Sequence, residues 1–152
     1  FKLGPGGFGE NISTRGMTEE NVCIGDRYRV GVKVVVEVSQ PRQPCWKLSY
    51  NAGVRELARE MQEHAAPGWH YRIIEPGEIS VGMSMELIER PLPEWTLARL
   101  IRGFYGSPDD AEFMREAIAL ETLGPEWRSA MRRRLSGAGV ENWHGRLYGP
   151  LA

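Results

Sequence analysis

The chain has 152 residues, 41% of them hydrophobic and 26% charged, which is enough for one domain with a sizeable core. Nineteen Lys and Arg stand against twenty Asp and Glu, divided 11 to 12 up to Arg90 and 8 to 8 after it, so neither part is a polybasic nucleic-acid surface. No apolar run approaches the roughly 18–20 residues of a membrane helix, and no apolar segment follows a basic start as in a secretory signal; a cytoplasmic protein without nucleic-acid or membrane partners is expected.

The first residue is Phe1 rather than Met, consistent with a fragment, a processed form or part of a longer product. The opening Gly4-Pro5-Gly6-Gly7-Phe8-Gly9-Glu10-Asn11-Ile12-Ser13-Thr14 has the composition of an anion cradle. It follows neither the GxxxxGK[ST] nor the GxGxxG pattern, so a plain Gly-rich loop is the simpler reading. Asn21–Val30 reads as a β segment turning at Gly25-Asp26, and Val32–Ser39 as a strand of period two, with Lys33 and Glu37 on one face. Val54–His64 has helical spacing and ends at Pro67-Gly68, and Glu78–Glu89 reads as one or two strands with a turn at Gly82.

Composition changes near Arg90, and three amphipathic patterns follow. They run from Glu94 to a stop at Gly103, from Pro108 to Leu123-Gly124, and from Pro125 to Ser136-Gly137, each Pro opening a helix with acidic residues in its first turn. The reading is a β-rich domain over 1–90 followed by a three-helix domain over 91–152, an α+β protein. Trp95, Phe104, Phe113, Trp127, Trp143 and Tyr148 are expected as helical core, and Arg132-Arg133-Arg134 as a solvated face.

Pro41-Arg42-Gln43-Pro44-Cys45-Trp46-Lys47 is the segment with the most chemistry. A Pro at each end fixes φ and removes donors, so the chain leaves its strand as a stiff extended loop that presents Cys45 in one place. Arg42 and Lys47 flank the thiol, and cations favour the thiolate, the form that acts as nucleophile or soft-metal ligand. Cys23, between Val22 and Ile24 in a strand-like run, reads as core. His64, His70 and His144 show no metal-ligand spacing and read as exposed or locally bonded.

Phe8-Gly9-Glu10-Asn11-Ile12-Ser13-Thr14, then Asn21–Asp26, then Val38–Leu48, in that order, resemble the MOSC domain superfamily and within it the bacterial YiiM-like proteins. The similarity continues through Gly68-Trp69, Glu75-Pro76-Gly77 and the helical tail to Gly137. The resemblance implies a MOSC-type β-barrel that holds the molybdenum cofactor, followed by a small three-helix (3-alpha) domain. It implies Cys45 as the protein ligand of molybdenum, with Asn11, Ser13 and Thr14 beside the pterin phosphate and the metal's oxo groups. Arg42 and Lys47 are further cofactor-binding candidates by charge. YiiM-like proteins also carry a stretch ahead of the FGEN motif, with a basic, His- and Gly-containing motif, which this chain lacks. An open barrel and weak or absent cofactor binding are therefore expected, unless an upstream segment or another chain supplies that part.

The function implied is a molybdenum-dependent reductase of N-hydroxylated compounds such as N-hydroxylated purine bases. No flavin or haem motif is present, so an external electron donor, a flavoprotein reductase, is expected as partner. The alternative is a carrier of the cofactor, or of sulfur on Cys45, without turnover of its own.

Overall fold

The computed structural model describes residues 4–149. Strands β1 (Arg27–Val30) and β2 (Val34–Pro41) form a hairpin, β3 (Trp69–Glu75) adds to β2, and β4 (Met85–Glu89) adds to β1. The result is one antiparallel sheet of order β3-β2-β1-β4. As expected of an open barrel, the sheet is not closed among the described residues: four strands are fewer than the roughly five to eight of small barrels, and β3 and β4 remain edges.

Alternation along β2 gives its two faces different partners. Val34, Val36 and Val38 join Tyr28 and Val30 in one hydrophobic cluster with Leu97, Leu100, Ile101, Phe104, Trp127 and Met131, so sheet and helices share a core. On this face Leu87, Tyr28, Val36 and Ile73 lie in one row across the four strands. Tyr28 and Val36 are buried in the middle of the row, whereas Leu87 and Ile73 at its ends are 42% and 58% exposed. The other face carries an ionic ladder. Glu37, 3% exposed, is held between Arg27 (3.0 Å) and Arg72, and Arg27 continues to Glu89 at 2.9 Å.

The helices of the second half are α3 (Leu97–Gly106), α4 (Ala111–Ala119) and α5 (Pro125–Arg133). Two of them begin on side-chain caps: the hydroxyl of Thr96 accepts from the Arg99 amide at 3.1 Å, and the carboxylate of Asp110 from the Phe113 amide at 2.9 Å. α3 runs on through Gly103, which sequence reading takes as its end. The glycine is there for packing, because a Cβ at that position would lie 2.2 Å from Phe113 Cζ. The last turn of α5 widens over Arg134–Ala138 and ends at Gly137, φ 87°. Trp95, Phe104 and Trp127 are buried as expected, Phe113 and Trp143 are half-buried, and Tyr148 lies outside the core. The arginine run is not a uniform solvated face. Arg134 is buried, donating to the Phe104 carbonyl at 2.7 Å and to Glu141, with its guanidinium 3.7 Å from the Phe104 ring centre.

Three elements go beyond the sequence reading: β3, α1 (Trp46–Ala52) immediately after Cys45, and the short α6 (His144–Tyr148). The predicted helix at 54–64 is present as α2 (Leu57–Glu63). The Asn21–Val30 segment becomes strand only from Arg27, after the expected turn at Gly25 (φ 80°). Of Glu78–Glu89, only Met85–Glu89 is strand.

Candidate functional site

Cys45 stands at the end of β2's continuation. Residues 42–45 carry no regular structure, and Cys45 itself is extended (φ −134°, ψ 164°) at the N-cap of α1, where its side chain makes no capping hydrogen bond. The stiff Pro-framed loop expected from sequence is therefore present, with a half-buried thiol at its end.

The helical half grips this loop. The Trp127 indole donates to the buried Pro41 carbonyl at 3.1 Å, and the Gly124 amide at the start of α5 donates to the Ser39 carbonyl at 3.0 Å. Arg146 on α6 donates to the Pro44 carbonyl, and the Leu48 amide donates to Cys45's own carbonyl at 3.0 Å. The thiol thus sits on a backbone whose Pro41, Pro44 and Cys45 oxygens are already committed, the condition for a preorganised ligand.

Arg42 links three distant segments. Its guanidinium donates to the Phe8 carbonyl at 2.8 Å, its amide donates to the Gly68 carbonyl at 2.9 Å, and the Gly68 amide donates to Glu19 at 2.6 Å. The FGEN segment is thereby fastened to the Pro-framed loop. Gly68 has φ 81°, a left-handed conformation that calls for glycine, and it packs against the Arg42 side chain.

The other candidates are less engaged. Asn11 and Lys47 are exposed and Thr14 is half-buried, and none of the three hydrogen-bonds to the Cys45 loop. Exposed Ser13 donates to Glu10 at 2.8 Å. That bond belongs to a small nest: the Gly6 and Phe8 amides donate to the two oxygens of the Glu10 carboxylate at 2.6 and 2.9 Å. Burial works to raise the pKa of Glu10, but the hydrogen bonds from its own backbone, Ser13, Gly6 and Phe8 outweigh it and hold the pKa at about 2. The Gly-rich loop is an anion cradle, and this chain's own carboxylate fills it.

His70, which sequence reasoning sets aside, lies at the edge of the site. Its strand position pairs with Gln40, and its imidazole pKa is lowered, first by partial desolvation and then by the nearby Arg42, with Glu126 opposing. The signal that places it is the β2–β3 register, which spacing does not reveal. Trp127, Arg146 and Glu19 are missed for the same reason. Cys23 is core as expected: it is 1% exposed, and burial and then Asp26 push its thiol pKa up. Next to the loop, a cleft of about 550 Å³ opens between Gln43 and the helical side chains Phe104, Glu126, Arg133, Trp143 and Arg146.

Among the described residues no group of three or more His, Cys, Asp or Glu is placed to hold a metal ion. A metal held at Cys45 would therefore take one soft thiolate from the protein and its remaining ligands from a non-protein group, which is the donor set a molybdenum pterin needs. The residues fit the group at Cys45. At the Gly-rich cradle they do not, because Glu10 already takes the amides a phosphate would need.

Residues 2–86 match the MOSC domain and residues 95–138 the YiiM-like, 3-alpha helix domain. The chain is 37% identical over 143 residues to protein YiiM of Escherichia coli, across 93% of this chain and 62% of that protein. A protein of Gibberella moniliformis named reductase is 43% identical over 98 residues, 64% of this chain and 17% of that protein. The fold superposes on crystal structures of YiiM from Escherichia coli (TM-score 0.85, 36% identity, 93% of this chain and 70% of that one) and from Geobacillus stearothermophilus (TM-score 0.84, 33% identity, 88% and 68%). The chain spans about three fifths of the length of the curated E. coli relative. With both family segments in sequence order and the same fold in solved relatives, the chain belongs to the MOSC-domain family and is a YiiM-like MOSC protein.

Proposed function

We propose that this chain carries the metal-holding part of a molybdenum-cofactor-dependent reductase of N-hydroxylated compounds, such as N-hydroxylated purine bases. The observation that carries the reading is Cys45: a half-buried thiol, free of capping bonds, at the end of a loop whose carbonyls are held by Trp127, Arg146 and Leu48. Membership in the MOSC family and a relative named reductase support it.

When bound, the molybdenum cofactor supplies two-electron oxygen-atom acceptance. This chain's own residues fix and orient. Cys45 offers one thiolate, and Arg42 and Lys47 place positive charge on the same segment, offsetting an anionic cofactor. The overall reaction cleaves an N–O bond with two electrons and two protons and leaves an amine and water. The electrons come from an external flavoprotein reductase.

Metal analysis tests the reading on protein made in a host that synthesises molybdenum cofactor. Cys45→Ala should lose both molybdenum and reduction of N-hydroxylated purine while keeping the fold by circular dichroism. Full activity in that variant overturns the proposal. Stoichiometric molybdenum without turnover, whatever the electron donor, moves the assignment to a cofactor or sulfur carrier using the same thiol.

A further inference from the structure

Helix α6 and Gly149 after it lie beyond residue 138, outside both matched family segments, and the sequence reading takes Tyr148 only as helical core and His144 as exposed or locally bonded. Their contacts nevertheless converge on the loop that presents Cys45. Arg146 donates through one guanidinium nitrogen to the Pro44 carbonyl and through another to the amide oxygen of Gln62, itself buried on α2. The Tyr148 hydroxyl donates to Glu56 at 3.3 Å. Gly149 (φ 86°) lies so close to the Trp46 indole that a Cβ would be 3.2 Å from the ring. The tail thus touches the residues immediately before and after Cys45, and α2 behind them.

The Pro44 carbonyl shares one planar peptide with the amide of Cys45, so holding that oxygen fixes the plane from which the Cys45 Cα and its thiol project. A planar fork with parallel donors can hold Pro44 and Gln62 at once, whereas a lysine ammonium lacks that fixed geometry.

We infer that the C-terminal helix is a clamp that sets the direction of the Cys45 thiol, with Arg146 as its positioning residue. The inference rests on the reading of Cys45 as the metal ligand, and it can be tested without metal. Arg146→Met keeps the aliphatic stem and removes both bonds, Arg146→Lys keeps the charge, and Gln62→Met removes only the second anchor. Hydrogen–deuterium exchange over 42–48 and the rate of Cys45 alkylation by iodoacetamide are the readouts, with buried Cys23 as internal reference.

Arg146→Met should exchange at least tenfold faster over 42–48 and alkylate several-fold faster at Cys45, with exchange over 34–38 unchanged. Arg146→Lys and Gln62→Met should fall between that variant and the wild type. Loop exchange and alkylation within twofold of wild type in Arg146→Lys and Gln62→Met overturn the clamp, even if Arg146→Met fails to fold. Equal loosening of strand and loop also overturns it, since that is a general structural role. Molybdenum content of Cys45→Ala separates the two ideas: metal retained there sinks the ligand reading, whereas an unresponsive loop sinks only the clamp.

Discussion

Replacing Gly103 by Ala sets two effects of opposite sign against each other. In an exposed helix interior the exchange stabilises by about 1 kcal/mol, because glycine loses more backbone entropy on folding. Here the new Cβ would stand 2.2 Å from Phe113 Cζ and 2.5 Å from both Cε atoms. Ordinary carbon contacts begin near about 3.5 Å, so the ring must retreat by more than an ångström. It has little room: its centroid is 5.5 Å from that of buried Trp95, and its backbone amide is tied to the Asp110 cap at 2.9 Å. Overpacking costs about 1–3 kcal/mol, and forcing a confined ring back by more than an ångström belongs in the upper part of that range, about 2–3 kcal/mol, which leaves a net loss of roughly 1–2 kcal/mol. For a chain of this size that lowers the Tm by about 2–8 °C in thermal unfolding followed by circular dichroism. Phe113→Leu in the same chain should recover part of the loss. Gly124→Ala is the counter-case. Its Cβ would meet Gln40 Oε1 at only 1.7 Å, yet that atom ends a flexible, half-buried side chain, so the cost should stay below about 1 kcal/mol. A Gly103→Ala protein as stable as the wild type, or a Gly124→Ala protein that loses more, refutes the reasoning.

The Glu10 nest predicts a pH signature. Its folded pKa of about 2 lies below the ordinary 4.5, so its contribution to stability is fully present above about pH 4.5 and disappears as the pH falls towards 2. Thermal melts from pH 2.5 to 7 should show Glu10→Gln less stable than the wild type at neutral pH, with the gap closing in acid; a gap independent of pH contradicts the nest. Asp26, fully buried, accepts from the Cys23 amide (2.9 Å), the Tyr28 hydroxyl (3.1 Å) and Arg90 (2.8 and 2.7 Å). Arg90→Met leaves that carboxylate without its cation and should cost about 3 kcal/mol in urea unfolding, the lower end of the range for broken buried pairs because two other donors remain. Adding Asp26→Asn should restore part of the loss, and additive effects of the two changes exclude the coupling.

Local chemistry made the helical half and β2 legible. Proline at N1 of α5 and period-two β-branched residues act within a few positions, and those elements stand close to their expected places; Pro108 instead precedes α4, which begins at Ala111 because Asp110 caps it, and ends at Ala119 rather than Leu123. β3 escaped because Trp69–Glu75 does not alternate cleanly: Ile73 and Ile74 are adjacent and both exposed at a sheet edge, so no periodic burial marks the strand. α1 escaped because a single segment changes state at Cys45, from a loop stiffened by two prolines to a helix of only seven residues. Gly103 misled because a helix-ending residue and a packing requirement look alike until the neighbouring helix is in place.

For the site, the division falls between what a side chain is and what it is tied to. Cys45 was legible because its prolines and cations lie within four residues of it. The bonds that hold its loop span 86 residues to Trp127 and 102 to Arg146, and no local pattern encodes a contact at that separation. Glu10 shows the converse limit. Its donors lie within four residues, and the loop has the composition of an anion cradle although a plain Gly-rich loop is the simpler reading of it, but composition cannot say which anion fills it. A carboxylate tethered in the same loop closes only a short ring of chain, so it meets those amides at far lower entropic cost than a free phosphate arriving from solution. For that reason the short-range carboxylate holds the cradle in this chain, and Cys45, whose thiol no capping bond engages, is the position open to an external ligand.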